Sequence, residues 1–332
     1  MSFKALLTER DAAGAVTSNV QTLEEDRLPD GNVTVTVEWS DVNYKDGLCL
    51  TGGGGLVRSY PHVAGIDFAG TVAQSADPRF AAGQKVVLTG WRVGETHWGG
   101  FAEKARVNAD WLVPLPNGLS TREAMIIGTA GLTAMLAINK LEANGLKTGA
   151  GEVLVTGAAG GVGTVAVMLL ARLGYDVTAI SGRPQLAEEL KALGAKTIIT
   201  REEFFAAPDR PLESARWAAA IDSVGGATLG KLLKQVKQWG AVAAVGNAGG
   251  VALETNVLPF ILRGVSLLGI DSSMQPYATR IAAWTRIAEL FDFEAYGDFV
   301  REIGLSDLPS AAQNILAGQV RGRLIVRLRE QG

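Results

Sequence analysis

The hydrophobic pattern changes character part-way along the chain. Over residues 1–118 apolar positions alternate or cluster in short runs, such as Thr34-Val-Thr-Val-Glu38, Gly70-Thr-Val-Ala73 and Lys85-Val-Val-Leu88, with Gly and Pro between them. Alternation without a helical period reads as short strands and turns, and so as a β-rich domain. From Thr121 onward 3.6-residue periodicity alternates with compact apolar runs. That pattern predicts a helix over 122–140, a strand–helix–strand unit over 153–180, a helix over 184–193, strands over 197–199 and 217–221, a helix over 229–237, and strands over 241–245 and 265–269. Beyond Asp271 a polar stretch with Pro276 leads to helices near 281–291 and 309–317 and a last alternating strand over 322–328. The fold class expected is α/β: a doubly wound parallel sheet over 121–275, with a β-rich domain over 1–120 completed by 276–332.

Within the second region, Val153-Leu-Val-Thr-Gly-Ala-Ala-Gly-Gly-Val-Gly163 joins a buried strand to a helix through a turn of small residues. Gly157, Gly160 and Gly163 suit a sharp turn, close approach of a pyrophosphate, and tight helix packing. Ala159, Gly161 and Val162 add backbone N–H groups at a positive helix end. Gly174 ends that helix and Val177-Thr-Ala-Ile180 follows as the next strand, which supplies the βαβ frame that the Rossmann reading requires. Where an NAD enzyme carries an acidic side chain after the second strand, this chain has Ser181-Gly-Arg183. A hydroxyl and a guanidinium suit a 2′-phosphate that a carboxylate would repel, so NADPH is the expected cofactor.

Composition narrows the classes. The chain has 332 residues, 47% apolar and 20% charged, enough for two globular domains. A net charge of -3 without a basic run argues against nucleic acid, so the expected partner is a small molecule. The N-terminus turns charged before a signal region forms, and the apolar runs look too short to cross a bilayer, so no membrane association and a cytoplasmic location are expected. With one cysteine, Cys49, there is no internal disulfide and no cysteine cage for a metal. His62 and His97 lack partners at ligand spacing and read as packing or hydrogen-bonding residues, so no metal site is expected.

Ser40-Asp-Val-Asn-Tyr-Lys-Asp46, Pro61-His-Val-Ala-Gly-Ile-Asp-Phe-Ala-Gly70, Gly99-Gly-Phe-Ala-Glu103, Thr129-Ala-Gly-Leu-Thr133 and the glycine turn occur in one order along the whole chain. In that order the chain resembles the medium-chain dehydrogenase/reductase superfamily, and within it the YhdH-type quinone oxidoreductases, which include NADPH-dependent acrylyl-CoA reductases. The resemblance implies that the β-rich part is a GroES-like catalytic domain. It also implies that the zinc ligands of the superfamily's alcohol dehydrogenases are missing, since Asn43, Ile66 and the region of Gly90 and Trp91 stand at those positions. A reaction that needs no Lewis acid is then favoured.

The resemblance further places Asn43, Tyr44 and Asp46 beside the nicotinamide as catalytic candidates. An amide and a phenol there can polarise a carbonyl, and Tyr44 can supply a proton; Asn43 and Asp46 have a competing use in stabilising a loop, and Tyr44 one in packing. For the cofactor it adds Thr129, Ser223, Gly246, Asn247, Asp271 and Ser272, although Ser, Thr, Asn and Asp also serve as caps and turns; Arg323 is a further candidate for the nucleotide phosphate, with a competing reading as a charged surface residue on a late edge strand. The implied reaction is hydride transfer from NADPH to the β-carbon of an enoyl thioester, most naturally acrylyl-CoA to propionyl-CoA. The alternatives are reduction of a quinone or small enone, or an NADPH-binding sensor without turnover. Arg58, Arg263 and Arg280 are candidate contacts for the phosphates of CoA. The strand over 265–269 reads as an exposed sheet edge, and pairing it about a two-fold axis would give the homodimer that relatives form.

Overall fold

The computed structural model describes residues 1–329. The chain forms two compact units, the first comprising Met1–Thr129, Ser273–Ala288 and the chain from Asp298 onward, the second Ala130–Ser272 and Glu289–Gly297.

In the first unit, valines at every second position of the strand Val33–Asp41, namely Val33, Val35 and Val37, are fully buried. The alternation thus turns one face to the core, as a period of two requires. This strand is central to a seven-stranded sheet ordered Val300–Gly304, Arg323–Arg327, Val33–Asp41, Asp67–Ser75, Lys85–Thr89, Leu112–Pro114, with Lys104–Val107 also pairing Val33–Asp41. A second sheet of three strands sets Ser2–Arg10 between Val16–Glu24 and His62–Val63. Phe68, Leu88, Phe101 and Leu112 fill the core. One element departs from the expected strands and loops: Tyr44–Thr51 is a helix, with a capping box between Asn43 and Asp46 and Gly52 in the left-handed region at its end (φ 72°). Eight residues are too few for periodicity to show, and the cap carries the signal.

In the second unit six strands lie in the order Thr197–Thr200, Val177–Ser181, Val153–Val155, Trp217–Asp222, Val236–Ala244, Ser266–Gly269, every pairing parallel. This is the doubly wound order with its switch point beside the first strand. The helix expected over 229–237 is instead Gly226–Leu233, and the chain is already a strand from Val236. The register jumps there, with Trp217 opposite Val236 but Ala219 opposite Ala241, and Trp239 takes a positive φ of 64° in the bulge. The helix signal ran on because Val236 and Lys237 fit either period. Residues 289–297 belong to this unit rather than returning to the first: the Tyr296 hydroxyl sits 2.6 Å from Thr164 Oγ1, and Arg172 pairs with Asp292 at 2.8 Å.

The helix Thr121–Ala143 is long and apolar enough by length and composition to cross a bilayer, against the expectation that no run is. Yet 83% of its most apolar window is buried within the protein, as in a core helix. It is broken at Gly128, whose φ of 51° and ψ of -162° lie outside the helical region.

Candidate functional site

Two groups of the expected residues are each brought together. In the second unit the carboxyl ends of the parallel strands share one edge, and the chain at or just beyond them carries Gly157–Gly163, Ser181 and Arg183, Ser223, Gly246 and Asn247, and Asp271 and Ser272. Such an edge is where open α/β sheets bind ligands. The turn is built by its glycines. Gly157 has φ 59°, and a Cβ on Gly163 would lie 2.3 Å from Gly157 O, so the helix Gly161–Arg172 can approach only without a side chain there. A Cβ on Gly160 would meet nothing closer than 3.4 Å, which leaves a bare backbone cradle at the helix start. The N–H groups of Gly161, Val162 and Gly163 have no intrahelical acceptor, because the first turn of any helix lacks one. The cradle therefore fits a dinucleotide pyrophosphate.

Around it, several expected contacts turn out to hold the frame. Ser223 donates its hydroxyl to Thr156 O at 2.9 Å, and its N–H donates to Thr156 Oγ1 at 3.2 Å. Thr156 in turn donates to the buried Asp222 at 2.6 Å, whose other oxygen accepts from Gly225 N–H. Burial pushes the Asp222 carboxyl above its ordinary range. Ser223 is thus a tie between strand ends, and its hydroxyl hydrogen is committed. Gly246 lets two chain segments touch, for a Cβ would fall 2.6 Å from Ser223 O. Ser181 is buried, and its Oγ accepts from Arg183 N–H at 3.0 Å. The turn it makes carries the half-buried Arg183 and an open Gly182, which has no atom within 4 Å of a Cβ position.

The first unit holds the other group. Asn43 ends an extended stretch and caps Tyr44–Thr51. Its Nδ2 donates to Asp41 Oδ1 at 2.5 Å and to Asp67 Oδ2 at 3.0 Å, and its Oδ1 accepts from Arg323 Nη1 at 3.3 Å. Both amide hydrogens are used, so Asn43 has none left to polarise a substrate carbonyl, contrary to expectation. Asp46 is fully buried, and its carboxylate accepts from Asn43 N–H at 2.8 Å and Ile66 N–H at 2.9 Å. Burial raises it to about 7 against the pull of these amides. It is a cap and a clamp, not a group presented to ligand.

Arg323, expected at a nucleotide phosphate, is 2% exposed; Nη2 pairs with Asp41 Oδ2 at 2.6 Å and Nε donates to Ile126 O at 3.0 Å. It thereby satisfies a carbonyl freed by the break at Gly128 and cannot also reach out. Thr129, just past the break, donates N–H to Asp67 Oδ2 and its hydroxyl to Asp67 Oδ1, both at 2.6 Å. Burial and the neighbouring Asp67 push Asp41 upward, against the attraction of Arg323. Of the three catalytic candidates only Tyr44 is exposed, at 47%, and among the described residues its hydroxyl has no hydrogen-bond partner. The residues missed by sequence reasoning are Asp41, Asp67 and Gly128. Asp41 and Asp67 lie inside the strings that carried the resemblance, and a charged residue flanked by apolar ones in a strand was the available signal.

Residues 29–117 match the model of the alcohol dehydrogenase GroES-like domain, and 161–289 that of the zinc-binding dehydrogenases. An acrylyl-CoA reductase, AcuI, of Ruegeria pomeroyi is 58% identical over 98% of both chains. The chain belongs to the medium-chain dehydrogenase/reductase superfamily. Within it, the YhdH type is the matching subgroup: the yhdH oxidoreductase of Salmonella enterica, solved in complex with NADP, superposes with TM-score 0.95 at 54% identity, covering 99% of this chain and 100% of that one. The yhfP protein of Bacillus subtilis, solved with NAD bound, gives TM-score 0.95 at 45% identity, with the same coverage.

For a YhdH-type chain the histidines have ordinary uses. His62 Nε2 lies 2.9 Å from Gly94 O, and burial lowers its pKa; His97 Nε2 lies 2.8 Å from Arg106 O, with its ring edge-on to Trp111. Among the described residues no group of three or more His, Cys, Asp or Glu side chains is placed to hold a metal ion. Two arginines offered for CoA phosphates are engaged elsewhere. Arg263 donates to Lys234 O and Val236 O, and Arg280, fully buried, donates to Thr89 and Ser273 and lies over the Trp91 ring. Arg58 is exposed.

Proposed function

We propose that this chain is an NADPH-dependent reductase of the α,β double bond of a small enoyl thioester, converting acrylyl-CoA to propionyl-CoA. The observation that carries the reading is the full-length identity of 58% to an acrylyl-CoA reductase, joined to a glycine cradle shaped for a dinucleotide. When bound, NADPH supplies the hydride that adds to the β-carbon, and a proton added at the α-carbon completes the saturated thioester. The chain's own part is to bind and orient. Gly161, Val162 and Gly163 N–H groups hold the pyrophosphate, Arg183 with the Ser181 turn favours the 2′-phosphate, and Tyr44, the exposed phenol, delivers or relays the proton.

Reduction of a quinone or enone is the second reading. It is favoured by the commitment of Arg263 and Arg280 to internal carbonyls, which removes two of three cations from a CoA site. Comparing kcat/KM for acrylyl-CoA, crotonyl-CoA and a benzoquinone decides between them: the first reading requires the highest value with acrylyl-CoA, and turnover of the quinone alone sinks it.

The same reading includes a homodimer. Ser266–Gly269 is the last strand of the six-stranded sheet, and Val257, Ile261 and Leu262 in the segment that leads into it are 63%, 68% and 61% exposed. A free strand edge next to apolar side chains suits pairing about a two-fold axis. Sedimentation should give twice the chain mass, and a monomer at micromolar concentration would remove this part.

A further inference from the structure

Thr129 and Asp67 show a polarity that the proposed function does not use. Asp67 is fully buried at the start of the strand Asp67–Ser75. Its carboxylate takes three donors, of which the N–H groups of Thr129 and Asn43 cannot reverse direction. The third is the Thr129 hydroxyl, 2.6 Å from Oδ1. A hydroxyl has one hydrogen, and once that hydrogen is given to a carboxylate the oxygen can only accept. The break at Gly128 fixes this arrangement. Its φ of 51° frees the Thr129 N–H from the helix, and a Cβ there would lie 2.0 Å from Asp41 Oδ2 and 2.4 Å from Arg323 Nη2.

We propose that Asp67 is a positioning residue that makes Thr129 an obligate hydrogen-bond acceptor toward bound cofactor, selecting the primary amide N–H of the nicotinamide carboxamide. This rests on the reading that Thr129 faces the nicotinamide. A threonine without such a carboxylate turns its hydroxyl to suit either a donor or an acceptor. Locked by Asp67, Thr129 fits the –NH2 end of the carboxamide and not its C=O end, which fixes the rotamer of that group.

Calorimetric binding, without turnover, tests this with three oxidised cofactors: NADP, its thionicotinamide analogue, which keeps the –NH2, and its 3-acetylpyridine analogue, which replaces –NH2 by methyl. The intact protein is expected to bind the thionicotinamide analogue like NADP and the acetylpyridine analogue roughly tenfold more weakly, about the worth of one neutral hydrogen bond. In Thr129→Val that discrimination should vanish, and Thr129→Ser should restore it. In Asp67→Asn, where the hydroxyl is released, it should fall to within about twofold, the loss of one directed hydrogen bond. Should Asp67→Asn not fold, Asp67→Ser, which leaves room for water in place of the carboxylate, serves in its stead. Affinity for 2′,5′-ADP, which lacks the nicotinamide, should be unchanged throughout. Discrimination kept in the Asp67 variant but lost in Thr129→Val overturns the role of Asp67 alone. Discrimination kept in Thr129→Val overturns the placement of Thr129 itself.

Discussion

Arg323 Nη2 lies 2.6 Å from Asp41 Oδ2, and the two side chains are 2% and 0% exposed. The pair joins the last strand of the first unit to the strand that leads into Asn43. Its role is electrostatic, because two further buried carboxylates, Asp46 and Asp67, lie near the pair and Arg323 is the sole cation bonded to the cluster among the described residues.

Arg323→Met should therefore destabilise the fold before it touches chemistry. Removing one partner of a buried pair leaves an uncompensated carboxylate, at a cost of about 3–5 kcal/mol. Urea unfolding of the variant should show that loss, whereas affinity for NADPH in the surviving folded fraction should stay within about twofold of the parent, as no direct contact is removed. A large fall in NADPH affinity at unchanged stability would return Arg323 to the nucleotide.

Tyr44→Phe isolates the phenol. Its hydroxyl bonds to no described residue and its ring is half exposed, so thermal stability should not change. Loss of a positioned proton donor should lower kcat by about 10²-fold, with KM little altered. Unchanged turnover assigns Tyr44 to packing and the proton to solvent.

Arg183 is set by the Ser181 turn beyond the second strand. Arg183→Ala should weaken NADPH binding by about 10–100-fold through loss of charge-assisted bonds to phosphate, and leave NADH unaffected. Equal losses for the two nucleotides would place the 2′-phosphate elsewhere.

Much of this is legible in the amino-acid sequence. The glycine turn and the alternating helices and strands announce the parallel sheet, because buried strands and amphipathic helices have distinct periods. What stayed hidden is contact between distant residues. Arg323 reads as a surface cation on a late strand until Asp41, 282 residues away, is seen beside it. Asn43 and Asp46 sit in a polar string that suggests chemistry, and the structure spends both on a helix cap and on neighbouring carboxylates and amides. Tyr44 emerges as the exposed member of the trio because it is the first helical residue after that cap.

Asp46 gives a pH dependence of stability. Burial raises its pKa to about 7 in the folded chain from an ordinary 3.8, so the folded state holds the proton more tightly than the unfolded one. The stabilisation this represents is complete below about pH 4 and is lost as pH rises through about 7. Relative to Asp46→Asn, which does not titrate, the parent should lose unfolding free energy between those limits and level off above them. A difference between the two proteins that is flat over that window, measured by urea unfolding, would mean that Asp46 is ionised throughout.

Mixing the purified chain with NADPH and acrylyl-CoA, following the absorbance of the reduced nicotinamide and identifying the product by mass, tests whether the chain is an enoyl-thioester reductase. Stoichiometric loss of NADPH with formation of propionyl-CoA is expected, and a much slower reaction with NADH. Tight NADPH binding with a flat trace on acrylyl-CoA and on longer enoyl-CoA thioesters would contradict that activity.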